Sequence, residues 1–266
     1  MKNPVIALLT DFGEEDFFVG SLKGVITSIN PSAQILDITH HVPPFDVLAG
    51  GFILYAVYRY YPSGTIFLMI VDPGVGSARR ILLIETDEYM FIAPDNGMLS
   101  LVLDSVGVSK IINVTNPKYF LPEPSSTFEG RDKMAPVAAW LSKGVAPSEF
   151  GRGISDCVRM EVQRPCIEKG GIIGQILYVD KFGNLITNVP TMDVNHLFER
   201  IEEKKMICRV GKEEIARFEQ SYSFVNKGEL LFLPGSLGLI EIALREGSAK
   251  EKLAAHPGDT IRIALE

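Results

Sequence analysis

Short apolar runs rich in β-branched residues alternate with amphipathic helical stretches in the first part of the chain. The runs VIALL, QILDI, TIFLMIV and IINV predict strands, and helices are predicted near 17–29, 46–60, 97–104 and 131–143. Such alternation indicates crossover connections and a mostly parallel sheet. The run RILLIETDEYMFIAP interrupts the alternation, because its two apolar segments around TDEY predict a hairpin added to the sheet.

The pattern changes after Gly170. Short apolar runs with turn residues between them, and little helical periodicity, predict a small β-barrel or sandwich. Residues 151–169 contain Pro, Gly and charges without clear periodicity, which indicates a linker. The predicted organisation is an α/β domain over 1–150, a linker over 151–169 and a barrel-like β domain over 170–266.

Composition narrows the classes of partner. The 266 residues are 46% hydrophobic and 22% charged, as in ordinary globular proteins, and the net charge of −7 opposes binding to a nucleic-acid backbone. The longest apolar segments fall short of the roughly 20 residues that a membrane span needs. We therefore expect a small-molecule ligand, and neither a nucleic acid nor a membrane as partner.

Cysteine usage indicates the compartment. Cys157, Cys166 and Cys208 are an odd number and lack C-x-x-C spacing, which predicts a reduced, cytoplasmic chain. The His, Cys, Asp and Glu residues also lack the spacing of metal ligands, so we expect no metal.

Residues that follow the strands of an open parallel sheet are the first candidates for ligand binding. After the first strand, LTDFGEEDFF contains Asp11 and Asp16. One interpretation is structural, with Asp11 closing a turn with Gly13 and Asp16 capping the next helix. The other is that Asp11 accepts hydrogen bonds from both hydroxyls of a ribose, as acidic residues near strand ends do in nucleotide-binding folds.

The loop after the third strand, VDPGVGSARR, contains Asp72, two glycines and Arg79. A plain salt bridge between Asp72 and Arg79 is one interpretation. The alternative is functional, because an arginine can hold a carboxylate or a water in a fixed orientation.

The segment SSTFEGRDKMAP opens the last predicted helix of the α/β domain and contains Glu129, Arg131 and Asp132. Structurally, Glu129 would be a first-turn carboxylate favoured by the helix dipole, and Arg131 and Asp132 a local ion pair. Together with the two preceding loops, however, it makes three charged strand ends at one edge of a sheet. That combination favours a binding crevice.

The β domain contains a further candidate in YVDKFGNLITN. Strand alternation would place Asp180, Phe182 and Asn184 on one face, and a carboxylate, an aromatic ring and an amide suit a purine and an ammonium group. A plain turn between two strands is the alternative.

Seven motifs, in order along the chain, resemble those of the S-adenosylmethionine hydroxide adenosyltransferase family, which is related to the fluorinase and chlorinase enzymes: LLTDFGEEDFFVGSLKG, ILDITHHVPPFDV, VDPGVGSARR, APDNGMLS, TFEGRD, VDKFGNLITN and GSLGLIEIA. The resemblance covers nearly the whole chain. It implies a Rossmann-like α/β domain followed by a β-barrel-like domain, in a homotrimer with active sites between the α/β domain of one subunit and the β domain of its neighbour. The implied activity is hydrolysis of S-adenosylmethionine to adenosine and L-methionine, with S-adenosylmethionine as substrate and no cofactor.

The resemblance also implies substrate contacts. They are Asp11 for the ribose diol, Asp16 and Asp180 for the methionine ammonium group, Phe182, Asn184 and Tyr222 for adenine, and additionally Phe128 in TFEGRD and Ser236 in GSLGLIEIA.

Hydrolases of the family use an Asp, an Arg and a His around the attacking water. Asp72 and Arg79 match the first two, but Glu129 stands where the motif TFHGRD has its histidine. Attack at C5′ releases methionine as a neutral thioether, so the reaction needs no general acid, and a carboxylate can orient and partly deprotonate water. A glutamate is about two pK units less basic than a histidine. At a Brønsted slope of about one half, this difference lowers the reaction rate roughly tenfold.

The surroundings of Glu129 decide between two hypotheses. Repulsion from Asp72 would raise the pKa of Glu129 and recover part of the lost basicity. Pairing with Arg79 or Arg131 would make Glu129 a poor base, and Asp72 would then position the water alone.

Two other functions are compatible with the sequence. A non-catalytic protein that binds adenosine or S-adenosylmethionine would keep the pocket and lack the histidine. A halogenase acting on S-adenosylmethionine would need a halide pocket, whereas this chain has the Asp and Arg of the hydrolase pattern and runs from VDPG to APDNG without the insertion seen in halogenases.

Overall fold

A computed structural model describes residues 4–168, 170–198 and 206–265. The chain divides into two compact units, Met1–Met160 and Glu161–Glu266. The domain borders at 150 and 170 stay a prediction, and Lys169 of the predicted linker and residues 199–205 and 266 of the predicted β domain lie outside the described residues.

The first unit contains a mixed sheet, whose strands in the described residues are β1 (Val5–Thr10), β2 (Gln34–Thr39), β3 (Ile66–Ile70), β4 (Ile81–Thr86), β5 (Met90–Pro94), β6 (Val108–Val114) and β7 (Gly151–Ile154). Their order is β2-β1-β3-β5-β4-β6-β7. The first four strands in this order, β2, β1, β3 and β5, pair in parallel with their neighbours. Strand β4 pairs antiparallel with both β5 and β6, and β7 pairs antiparallel with β6. The predicted α/β class is confirmed, and the predicted hairpin is β4 and β5.

Helices cover this sheet: α1 (Phe17–Ile29), α2 (Val47–Val57), α3 (Ser100–Leu103) and α4 (Ala135–Ser142). Val19, Leu22 and Ile26 of α1 recur at helical spacing and are buried, and α1 packs against α4. Their apolar faces join the strands in one core cluster. Over the described part of the chain, no helix combines the length and apolar character needed to cross a bilayer.

The segment predicted as a linker contains two strands. Residues Gly151–Ile154 form β7 at the edge of the first sheet, and Cys166–Glu168 form β8, which pairs with the strand that follows it. The sequences GRGI and CIE have no apolar alternation, and the two central residues of β7 and all three residues of β8 are exposed. Backbone pairing, rather than a buried face, holds them in place.

The second unit is a nearly closed antiparallel barrel-like sheet, as predicted. Its further described elements are β9 (Gly171–Val179), β10 (Leu185–Pro190), α5 (Thr191–Phe198), β11 (Met206–Val210), β12 (Glu213–Ile215), β13 (Leu230–Pro234), β14 (Leu239–Leu244), α6 (Ala249–Leu253) and β15 (Thr260–Leu265). Their alternating apolar side chains form a separate core, which includes Ile176, Phe232 and Ile263.

Strand direction in the first sheet brings three loops to one edge. Strand β1 runs parallel to β3, β3 runs parallel to β5, and β6 has the same direction because both β5 and β6 are antiparallel to β4. The segments that follow β1, β3 and β6 therefore leave the sheet on the same side. These segments contain the three charged sites that the sequence predicts.

Candidate active site

Arg79 lies between two buried carboxylates. Its Nε donates a hydrogen bond of 2.7 Å to Asp72 Oδ1, and its Nη2 donates a second to Asp72 Oδ2. The same Nη2 lies 2.6 Å from Glu129 Oε2. The side chains of Asp72, Arg79 and Glu129 are all less than 10% exposed, so this ion-pair network is shielded from solvent.

Glu129 has a second cationic neighbour, Lys133, which lies four residues later in the chain and donates a hydrogen bond to Oε1. The other oxygen, Oε2, is buried and, among the described residues, receives no aligned hydrogen bond, although Arg79 is close to it. Each oxygen of Glu129 thus faces one cation, Oε1 facing Lys133 and Oε2 facing Arg79.

The pKa of Glu129 lies below its ordinary value. Burial alone would raise this pKa, but the hydrogen bond from Lys133 and the charges of Arg79 and Lys133 outweigh the burial. The expectation that Asp72 raises the pKa of Glu129 is therefore wrong, because Arg79 stands between the two carboxylates. Pairing of Glu129 with Arg79 is observed, whereas Arg131 pairs with Asp132 at 2.6 Å.

Glu129 directly precedes a π-helical turn, Gly130–Met134, which leads into α4. The carbonyl of Asp132 accepts a hydrogen bond of 2.8 Å from the Leu121 amide, and its side chain accepts one of 2.8 Å from the Ser125 amide. Asp132 therefore fixes the loop that leads into the turn. Wide turns of this kind occur frequently at functional sites.

The loop after β3 meets the loop before the π-helical turn at Gly76. Gly76 has a φ of +79°, and a Cβ there would lie 2.6 Å from the carbonyl oxygen of Ser126. Only glycine combines this conformation with so close an approach. This contact aligns the loop of Asp72 and Arg79 with the segment of Glu129.

We expect Gly76→Ala to destabilise the protein by at least about 2 kcal/mol and to lower activity, because it adds a backbone clash to conformational strain. Thermal unfolding and the kcat of the folded fraction measure both effects. Gly64→Ala is the matched control, since Gly64 has a φ of +86° and nothing within 4 Å of its Cβ position. The control is expected to lose about 1 kcal/mol of stability and to keep its full activity. Equal effects of the two substitutions would contradict the role of the contact with Ser126.

A cavity of about 340 Å³ opens beside the ion-pair network, and its lining includes the carboxylates Asp11, Asp72 and Glu129 and the apolar side chains Phe12, Phe18, Pro44, Phe45, Ile70, Val75 and Phe128. The ring of Phe128 is buried and meets the rings of Phe12 and Phe18 edge-on. A larger cavity of about 660 Å³ along β7 contains none of these three carboxylates. The smaller cavity is therefore the better candidate, since an apolar wall with a few convergent polar groups is typical of ligand sites.

Asp11 and Asp16 differ in their surroundings. Asp11 lines the cavity, and its Oδ2 accepts a hydrogen bond of 2.9 Å from the Phe45 amide. Burial raises the pKa of Asp11, and the charge of Asp72 adds to the rise. Asp16 is exposed, directly precedes α1 and, in the described residues, makes no side-chain capping bond, so the structural interpretation of Asp16 as a helix cap is not observed.

In the second unit, Asp180, Phe182 and Asn184 form a turn between β9 and β10. Asp180 Oδ1 accepts hydrogen bonds from the amides of Phe182 (2.9 Å) and Asn184 (2.8 Å), and Oδ2 accepts one from the Asn184 side chain. The predicted alternation on one strand face is wrong here, because Gly183, with a φ of +85°, reverses the chain. The alternative of a turn is observed, with Phe182 75% exposed and Asn184 buried.

The hydroxyl of Tyr222 donates a hydrogen bond to Glu241, a buried carboxylate on β14. Burial raises the pKa of Glu241, and the nearby charge of Asp180 adds to the rise. Burial and the Glu241 contact likewise raise the pKa of Tyr222. Ser236 is exposed in the turn between β13 and β14. Asp180, Tyr222 and Glu241 are thus neighbours within this unit.

Both parts of the chain match family models. Residues 6–151 match the SAM hydroxide adenosyltransferase N-terminal domain, and residues 174–262 match the SAM hydroxide adenosyltransferase C-terminal domain. The chain belongs to the SAM hydroxide adenosyltransferase family. The predicted resemblance is confirmed.

Individual relatives cover nearly the whole chain. The (R)-S-adenosyl-L-methionine hydrolase of Salinispora arenicola is 32% identical over 98% of this chain and 98% of its own. A fluorinase from an Actinoplanes species is 32% identical over 72% of this chain and 74% of its own. A crystal structure of a conserved protein from Thermotoga maritima superposes with a TM-score of 0.91, at 38% identity, over 97% of this chain and 99% of that one.

Two polar residues next to the predicted site were missed from the sequence, Lys133 and Glu241. The signal for Lys133 is its spacing, since it follows Glu129 by four residues on a helical segment. The signal for Glu241 is that it is the charged residue in the otherwise apolar strand LIEIAL.

Proposed function

We propose that this protein hydrolyses S-adenosyl-L-methionine to adenosine and L-methionine. The observation that carries the proposal is the buried network of Asp72, Arg79 and Glu129, whose two carboxylates line the apolar cavity. Family membership and the hydrolase relatives support the same reaction.

In the proposed reaction a water oxygen forms a bond to C5′ of the ribose, and the bond between C5′ and sulfur breaks. The electron pair of that bond leaves with sulfur, so methionine departs as a neutral thioether and needs no proton. Pairing with Arg79 makes Glu129 a weaker base than a free glutamate but keeps it ionised, and we assign the water proton to its carboxylate, which lines the cavity. Arg79 holds Asp72 and Glu129 together, and Asp72 orients the water. The reaction as proposed uses no metal or cofactor, so activity is expected to persist in EDTA.

The rest of the cavity suits the nucleoside part of the substrate. We assign Asp11 to the ribose hydroxyls, because its carboxylate is the acidic group of the lining beside Asp72. Phe128 would pack against the substrate near C5′. Asp16 is assigned to the methionine ammonium group, which its uncapped carboxylate can attract.

The remaining substrate contacts belong to the second unit, and we assign them to a neighbouring subunit of a homotrimer. Each unit exposes aromatic side chains close in sequence to assigned residues, among them Phe17, Phe45, Phe182 and Phe224. Exposed apolar groups of this kind are typical of interaction surfaces. In this arrangement Phe182, Asn184 and Tyr222 contact adenine, Asp180 assists Asp16 and Ser236 completes the pocket. Sedimentation velocity on the full chain tests the trimer.

The three free thiols of Cys157, Cys166 and Cys208 support the further proposal that the protein works in the cytoplasm, where thiols stay reduced.

Incubation with each sulfonium epimer of S-adenosyl-L-methionine in halide-free buffer, followed by chromatography, tests the activity. Adenosine and methionine from the parent protein, absent with Asp72→Ala, are the expected products. Tight binding of unchanged substrate would instead indicate a binding protein, and products that appear only with added halide would indicate a halogenase. Because the relatives are named for the (R) epimer, we expect that epimer to be the better substrate.

A further inference from the structure

Lys133 has no counterpart in the water-binding trio of Asp, Arg and His, yet it contacts the residue that replaces the histidine. Its ammonium group donates to Glu129 Oε1 across one helical turn, and its side chain is 25% exposed. The ammonium group also lies 5.8 Å from the ring centroid of Phe120, within the range of a cation–π contact. Lys133 thus contacts both Glu129 and Phe120.

Lys133 balances the charge of the buried cluster around Arg79. Arg79 directs two of its five N–H groups to the two oxygens of Asp72. Glu129 is then a buried carboxylate whose aligned donor is Lys133. With Lys133, the four charges of Asp72, Arg79, Glu129 and Lys133 sum to zero. Without it, the cluster has a buried net charge of −1 beside Asp11, which is costly to maintain.

The linings of two cavities place Lys133 on the side of Glu129 away from the proposed substrate. The cavity assigned to the substrate is lined by Asp72 and Glu129 but not by Lys133. A second cavity, of about 360 Å³, is lined by Arg79, Glu129, Lys133 and Phe120. Glu129 thus belongs to both linings, and Lys133 approaches it from the second cavity, away from the reacting atoms.

We propose that Lys133 is a positioning residue of the hydrolytic site, which holds the Glu129 carboxylate ionised and in place beside the attacking water. This inference rests on the proposed hydrolysis. Glutamate and lysine together take the place of the single histidine: the glutamate accepts the proton, and the lysine keeps the glutamate free of a proton until the water arrives. The charged groups around Glu129 in the described residues are Arg79 and Lys133 in direct contact, Asp72 beyond Arg79, Asp11 in the lining of the substrate cavity and Arg80 in the lining of the second cavity.

The direction of the pH effect follows from these contacts. Lys133 lowers the pKa of Glu129 against the effect of burial, so Glu129 is ionised at neutral pH. Removal of the lysine charge leaves Arg79 alone to oppose the effect of burial, so the pKa of Glu129 rises. Glu129 is then protonated over more of the acidic range. The pH below which kcat falls is therefore higher in the variant than in the parent.

The test compares kcat and KM from pH 5 to 9 for the parent, Lys133→Met, Lys133→Gln and Lys133→Arg proteins. For both neutral variants we expect kcat at pH 6 to fall about tenfold or more, as one lost neighbouring charge implies, with a smaller loss at pH 8 and a KM within about threefold. Lys133→Arg is expected to restore kcat at pH 6. Lys110→Met is the matched control, because Lys110 pairs with Glu85 elsewhere in the first unit, at 3.4 Å.

A second readout needs no turnover. The side-chain carboxyl carbon of Glu129, labelled with ¹³C and assigned with Glu129→Gln, is expected to titrate at higher pH in Lys133→Met than in the parent. A loss of kcat that is equal at all pH values, or an unchanged titration, would overturn the proposal. If the parent releases no adenosine, the hydrolytic function fails, and the carbon titration still decides whether Lys133 controls the ionisation of Glu129.

Discussion

Glu129→Gln is expected to lower kcat by at least about 100-fold, the usual contribution of a general base, with KM nearly unchanged. The amide keeps the shape of the side chain but cannot accept the proton of the attacking water. The buried Oε2 of Glu129 is the acceptor in the network that lacks an aligned donor, whereas both oxygens of Asp72 are held by Arg79. Steady-state kinetics of adenosine release measure the effect.

Two further variants sharpen this experiment. Glu129→His restores the residue of the TFHGRD motif and is expected to retain kcat within about tenfold, because the neighbouring cations Arg79 and Lys133 keep an imidazole neutral at pH 7. Glu214→Gln is the matched control, since Glu214 forms an exposed pair with Arg209. Parental activity in Glu129→Gln would mean that Asp72 positions the water alone.

Arg79→Met is expected to abolish detectable hydrolysis and to lower the free energy of unfolding by about 3 to 5 kcal/mol. The substitution removes the cation between Asp72 and Glu129 and leaves two carboxylates, each less than 10% exposed, to repel one another. One of them would take up a proton, so the loss of stability should be largest at neutral pH and shrink as the pH falls. Urea unfolding at several pH values measures the change.

Arg209→Met provides the comparison for stability. Arg209 and Glu214 form a salt bridge of 2.6 Å, but both side chains are about half exposed, so its loss is expected to change stability by less than about 1 kcal/mol. A similarly small loss in Arg79→Met would show that the buried network does not hold the two loops together. Retention of activity in that variant would remove Arg79 from the proposed mechanism.

The fold could be predicted from the sequence because apolar periodicity reflects which faces are buried. The helix Phe17–Ile29 and the strands Val5–Thr10 and Gln34–Thr39 follow the predicted stretches closely. Prediction failed for β7 and β8, because backbone pairing and not a buried face holds these strands. It also failed for Asp180, Phe182 and Asn184, because Gly183 makes a turn where a strand was predicted.

The sequence by itself determined the two-part architecture, the family and the identity of the charged residues at three strand ends. Only the tertiary structure decided how those charges are paired. Arg79 separates Asp72 from Glu129, and Lys133 lowers a pKa that proximity to Asp72 was expected to raise. The reason is physical: the sign of a pKa shift depends on distances of a few ångströms between buried charges, and the order of residues along the chain does not specify those distances.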